Sequence, residues 1–148
     1  MKIHKIKIIV ISSIMAIFVI YNIFWFCVVH LNYNSFIEGM NEFRPNVSYV
    51  LEGNDGYLYN VKNPDYLSYT GNACVSTKDG KVALLIWPGL FRETKYGVQI
   101  TTNDNIVYSI IIDKNAEAID SQYKDMIIEN STIIQVLFQK AEKQWNIK

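Results

Sequence analysis

Residues Ile8 to Val29, IIVISSIMAIFVIYNIFWFCVV, carry no charged side chain, and the organisation of the 148-residue chain follows from how that run is read. At about 1.5 Å of rise per residue, a helix over this run is about 33 Å long, close to the ~30 Å hydrocarbon layer of a bilayer. The run therefore predicts a transmembrane anchor. Ser12, Ser13 and Asn22 are its clearly polar interruptions, and a hydroxyl or amide bonds within a helix or to a partner helix at modest cost. A cleaved secretory signal is the competing reading, because Lys2, Lys5 and Lys7 precede the run. A signal's apolar region is shorter, about 7 to 15 residues, and ends at small residues. This one ends in Phe24-Trp25-Phe26-Cys27-Val28-Val29-His30. Cys27 does not fit a lipoprotein site either, since bulky Trp25 and Phe26 stand where small residues would be needed.

Basic residues near the ends of a span are retained on the cytoplasmic side. Three lysines and His4 precede this one, whereas the stretch after it has Arg44 together with Glu38 and Glu42. Residues 1–7 are thus predicted as a short cytoplasmic tail, 8–29 as the anchor, and the remainder as extracytoplasmic. Frequent Ile, Asn, Tyr and Lys point to a bacterial plasma membrane. Three of the 14 basic side chains lie before the span, which leaves 11 against 14 acidic ones outside, a net of −3. That balance offers no footprint for nucleic acid. The length beyond the anchor suits one domain of about a hundred residues.

Outward from the span, Phe36, Met40 and Phe43 recur at helical spacing, which predicts a juxtamembrane stalk helix over 30–45, stopped at Arg44-Pro45 and weakened at Gly39. From residue 46 the period becomes that of strands. Val47–Glu52 and Tyr57–Val61 flank Asn54-Asp55-Gly56, and Tyr66–Thr77 is interrupted at Gly71-Asn72. Lys78-Asp79-Gly80 leads into Lys81–Trp87, where Asp-Gly suits a two-residue hairpin with positive φ at both central residues. Val82–Trp87 is continuously apolar, as in a strand covered on both faces or a central strand with one face against a helix. Lys95–Thr102 and Ile106–Asp113 form a further pair, and Glu117–Ile119 a short addition. The tail turns helical, with Tyr123, Ile127, Ile134, Leu137, Ala141 and Trp145 in one stripe. Asp120 or Ser121 suits its N-cap, and Thr132 with Gln135 suits a capping box that would divide the helix near Asn130. The predicted fold class is α+β: a transmembrane helix, then an antiparallel sheet of five to seven strands packed against a C-terminal amphipathic helix or helix pair, the domain occupying 46–148.

Chemistry is sparse. The two histidines, His4 and His30, lie at opposite ends of the span, so neither a His-based triad nor a His-assisted cysteine fits in the domain. Cys27 and Cys74 are too far apart in organisation for a disulfide, whose Cα atoms approach within about 7 Å, and Cys74 reads as a small buried apolar residue. Glu52, Asp55, Asp65, Asp79, Asp104 and Asp113 mostly occupy turn signals, where Asp bonds its own backbone. No cofactor, metal site or disulfide is expected. The candidate recognition segment runs through Trp87, Leu90, Phe91, Arg92 and Tyr96, because two large apolar residues at a hairpin tip offer contact area; the alternative is that Phe91 folds back beside Trp87. The expected function is that of a membrane-anchored, non-enzymatic domain that contacts a protein partner or an envelope polymer. One alternative is a subunit of a surface or secretion assembly, although the chain has no prepilin-like start and its domain ends on a helix. Another is a hydrolase with two carboxylates in a cleft.

Overall fold

The structure, a computed structural model, describes residues 2–89 and 92–147, with side chains from residue 5 onward. Helix α1, Lys2–Ile37, is 36 residues long and unbroken, about 54 Å at the usual rise. It is long and apolar enough to cross a membrane. Strands β1 (Asn41–Arg44), β2 (Ser48–Glu52), β3 (Tyr57–Lys62), β4 (Asn72–Thr77), β5 (Val82–Trp87), β6 (Lys95–Thr101) and β7 (Val107–Ile112) follow. Among the described residues they form one seven-stranded antiparallel meander whose spatial order is the chain order. A 3₁₀ turn at Ser121–Tyr123 leads into α2 (Lys124–Glu129) and α3 (Ser131–Trp145). The α+β architecture is therefore as expected, and the tail is a helix pair divided at Asn130. Asp120 caps the turn by accepting from the Gln122 N–H. The box at Thr132 does not form, because α3 already begins at Ser131.

The segment expected as a stalk helix over 30–45 is divided instead. Gly39, at φ 75°, ends the helix, with the Met40 N–H bonded to the Ile37 carbonyl. A glycine in the left-handed region just past a helix terminates it, so Gly39 is a stop rather than a weak interior position. Asn41–Arg44 is consequently extended and pairs with β2. Pro45 and Asn46 then form a corner between them: the Val47 N–H bonds the Arg44 carbonyl and Asn46 has φ 56°, the type II pattern with Pro first and Asn second. The Asp79-Gly80 turn also differs from expectation. Only Gly80 of the two has positive φ, and its N–H bonds the Thr77 carbonyl. This is a type I turn followed by a left-handed residue, the three-residue hairpin solution.

Alternation along the strands places Tyr59 and Val61, Ala73 and Val75, Leu84 and Ile86, Val98 and Ile100, and Ile110 and Ile112 on one face, where all are buried. Ile134, Leu137, Ala141 and Trp145 of α3 close that face. So does the end of α1. Val29 and Tyr33 are core residues, with Trp25, Phe36 and Ile37 packed beside them, so the core extends well before residue 46. The Trp145 indole N–H donates to the Phe36 carbonyl at 3.0 Å. Tyr33, only 2 % exposed, accepts from the Gly71 N–H at 2.6 Å. Gly71 has no room for a side chain: a Cβ there would stand 2.1 Å from the Lys62 carbonyl oxygen.

Tyr66–Gly71, expected to begin a strand, is instead a loop lying along α1. The Tyr66 hydroxyl donates to Asn22 Oδ1 at 2.6 Å, and the Trp25 indole N–H donates to the Ser68 carbonyl at 2.6 Å. Asn22 also donates to the Phe18 carbonyl, so both ends of its amide are satisfied within the chain. Tyr33→Phe leaves the buried Gly71 N–H without its acceptor. The expected cost is about 1–3 kcal/mol, to be read as a lower unfolding midpoint of the full chain followed by tryptophan fluorescence.

Candidate functional site

The second face of the sheet is covered by no described helix. Strand register puts Asn60, Cys74, Leu85, Gly97 and Ile111 in one row across β3 to β7 on that face. Trp87 lies over the glycine of this row, since a Cβ at Gly97 would come within 2.9 and 3.0 Å of its ring. Glycine in a strand interior commonly marks such a close approach. The row is flanked by polar positions, among them Gln99, whose amide donates to the Ser109 hydroxyl at 3.3 Å across β6 and β7. Ile111 at the far end is 48 % exposed. The result is an apolar strip with a polar margin. β5 thus follows the second of its two sequence readings: its even-numbered residues face the helices, and Leu85 and Trp87 face outward with no helix over them among the described residues.

The residues of the candidate recognition segment do not share one surface. Leu90 and Phe91 lie outside the described residues. Ile86 pairs with Tyr96 and Trp87 with Lys95, so Tyr96 is on the helix-covered face. There it is buried against Phe138, with ring centroids 5.3 Å apart, and burial raises its hydroxyl pKa. Trp87 belongs to the opposite, uncovered face. It lines a cleft of about 330 Å³ together with Arg92, Glu93 and Ile111. The row around Cys74, Leu85 and Ile111 was not among the sequence candidates. The unbroken apolar character of β5 was its signal.

Among the described residues carboxylates share more than one concave region: Glu93 and Asp113 line one of about 910 Å³. Asp55 and Asp79 both line a groove of about 550 Å³ with Lys78 and Lys81. The Lys140 ammonium of α3, 2.9 Å away, holds the Asp55 carboxyl below its ordinary range, helped by the Tyr57 N–H and the Tyr59 hydroxyl. Bonds from the Thr77 hydroxyl and the Lys81 N–H do the same for Asp79. A carboxylate pair that cleaves glycosides needs one member raised to act as the acid. Both of these are lowered, and their partners are those of structural turns. Burial pushes the Cys74 thiol up to about 11, which suits a packed side chain and not a nucleophile. Among the described residues no three His, Cys, Asp or Glu side chains converge on a metal-sized site.

Two measurements follow from these environments. Because Asp55 is depressed in the folded state, its contribution is present above the ordinary carboxylate pKa and is lost as pH falls through the depressed value. Asp55→Asn is therefore expected to lower stability modestly near neutrality, since the pair is partly exposed and screened, and to flatten the acid limb below about pH 4, where the variant and the parent converge. Cys74 in the folded chain is expected to alkylate at pH 8 roughly a hundredfold more slowly than in the urea-unfolded chain, because so little thiolate is present; mass spectrometry of the trapped peptide reads the rate. A scan against protein-family models and searches of curated proteins and of solved structures find no match for this chain.

Proposed function

We propose that the chain is a single-pass membrane protein of a bacterial plasma membrane, with its N-terminus in the cytoplasm. Its folded domain is held against the outer surface and works by non-covalent contact with a protein or an envelope polymer. The observation that carries this reading is the continuity of α1: the exposed apolar stretch passes without a break into the domain core at Val29 and Tyr33. A removable leader has no reason to be built into the core of what it delivers. Lys2, Lys5 and Lys7 support the inward N-terminus. The apolar row of Cys74, Leu85 and Ile111, with Trp87 beside it, supports a binding role, because an apolar centre with a polar margin is the pattern of interfaces.

The reading is tested in cells expressing the full chain with a C-terminal tag. The protein is expected to stay in the membrane pellet after carbonate extraction at its uncleaved mass, and the tag is expected to be removed by protease added to intact cells. Release by carbonate, a shortened mass or a tag protected until lysis would overturn the anchor or its orientation. A photo-crosslinking residue at Ile111, compared with one at exposed Lys143 on α3, is expected to give a discrete adduct at Ile111 alone. Equal labelling at both positions would remove the sheet face as the working surface.

A further inference from the structure

We propose that the loop from Asp65 to Thr70 is a second membrane contact, in which Tyr66 and Leu67 enter the interfacial layer of a phospholipid bilayer beside α1. This rests on the reading that α1 crosses the membrane. The first ground is where the loop is tied. Tyr69 shares a hydrogen bond with Tyr21, Tyr66 bonds Asn22, and Ser68 accepts from Trp25. All three helix positions lie inside the uncharged run that ends at Val29. Asn22 is seven residues short of that end, about 10 Å of helix.

The second ground is length. The helix below the loop, residues 8 to 21, spans about 21 Å, whereas the hydrocarbon layer is about 30 Å thick. The part alongside the loop must be immersed as well if the layer is to be filled, and the loop is fastened to it. The side of α1 turned away from the loop is suited to that depth: Ile23 and Phe24 are large, apolar and exposed there.

The third ground is the chemistry of the loop. Tyr66 is 58 % exposed and Leu67 48 %. Leu67 sits at φ 65°, a backbone region that a branched side chain seldom adopts, and so holds an apolar residue at an open tip. Tyr21, Trp25, Tyr66 and Tyr69 together form a belt of amphipathic rings, the residues that prefer the level of lipid headgroups. The polar groups of the loop are bonded internally: the Ser68 N–H to the Asp65 carbonyl, the Thr70 N–H to the Ser68 hydroxyl, and the Asp65 carboxylate to Lys62 at 3.0 Å. Entry into a poorly hydrated layer therefore leaves few of them unpaired.

The test uses the full chain reconstituted in phosphatidylcholine vesicles, in a Cys27→Ser, Cys74→Ala background, with a nitroxide attached singly at Leu67→Cys, Ile14→Cys or Lys143→Cys. Relaxation by lipid-soluble oxygen and by a water-soluble nickel chelate gives the environment of each label. Relative to the Lys143 label, the Leu67 label is expected to gain oxygen relaxation and lose nickel relaxation, by less than the deeper Ile14 label does. If it instead resembles the Lys143 label while Ile14 remains shielded from nickel, the loop contact is overturned and the anchor stands. If the Ile14 label is itself open to nickel, both readings fall. Near-UV circular dichroism of the tryptophans confirms that each variant is folded, and Tyr66→Cys, read in the same way, replaces Leu67→Cys should that variant not fold.

Discussion

Everything in this fold depends on one helix being shared between an exposed apolar stretch and a packed domain. The last turns of α1 supply Val29 and Tyr33 to the core and receive the Trp145 indole bond at Phe36. Two groups that would be costly to leave unpaired, the Gly71 N–H and the Trp145 N–H, are satisfied by that helix. No glycine or proline interrupts it between Lys2 and Ile37, so it has none of the usual causes of a sharp kink. The direction of the apolar stretch therefore sets the tilt of the sheet, and the domain is not a loose cargo on a flexible stalk.

The sheet itself is simple, because each strand pairs with its sequence neighbours and every register is local. Its hairpins repeat one economy, a tight turn completed by a residue in the left-handed region: Asn46, Gly56, Gly80 and Asn105 all have positive φ, and glycine and asparagine are the residues that adopt it most readily. Tertiary pairing with α1 and α3 then selects one face to bury.

Local signals were legible where chemistry is local. The turns at Asn54-Asp55-Gly56 and at Lys78-Asp79-Gly80 and the strands that flank them could be read from residue order, whereas residue order left the tail open between one helix and a pair divided near Asn130. Gly39 was misread because the same residue either weakens a helix or ends it, and only the conformation of Met40 and of the chain beyond decides which. The loop at Tyr66–Gly71 was hidden for a different reason. Its aromatic residues look like strand material, and what holds them out of the sheet is a set of bonds to Asn22 and Trp25, more than forty positions away. The separation of Trp87 from Tyr96 was equally hidden. It turns on the parity of a single pairing, Ile86 with Tyr96, and a one-residue slip would have put both on the same face.

That parity bears on what the uncovered face is for. A strand with one wet face normally alternates apolar and polar residues, as β3 does over Tyr59, Asn60, Val61 and Lys62. β5 does not: Val82, Ala83, Leu84, Leu85, Ile86 and Trp87 are apolar throughout. Half of them are accounted for by the helices. On the other face Ala83 is buried without any helix above it, Leu85 sits in the row shared with Cys74 and Ile111, and Trp87 has folded down over Gly97. Glycine is a poor choice for strand stability, since it contributes no packing of its own. At Gly97 it serves to let the indole of Trp87 approach the strand closely, so that the ring covers backbone. That approach does little for the hydrophobic core, which lies on the other side of the sheet. It adds a large ring to the apolar row, and an apolar surface gains its full stabilisation when a second surface excludes water from it.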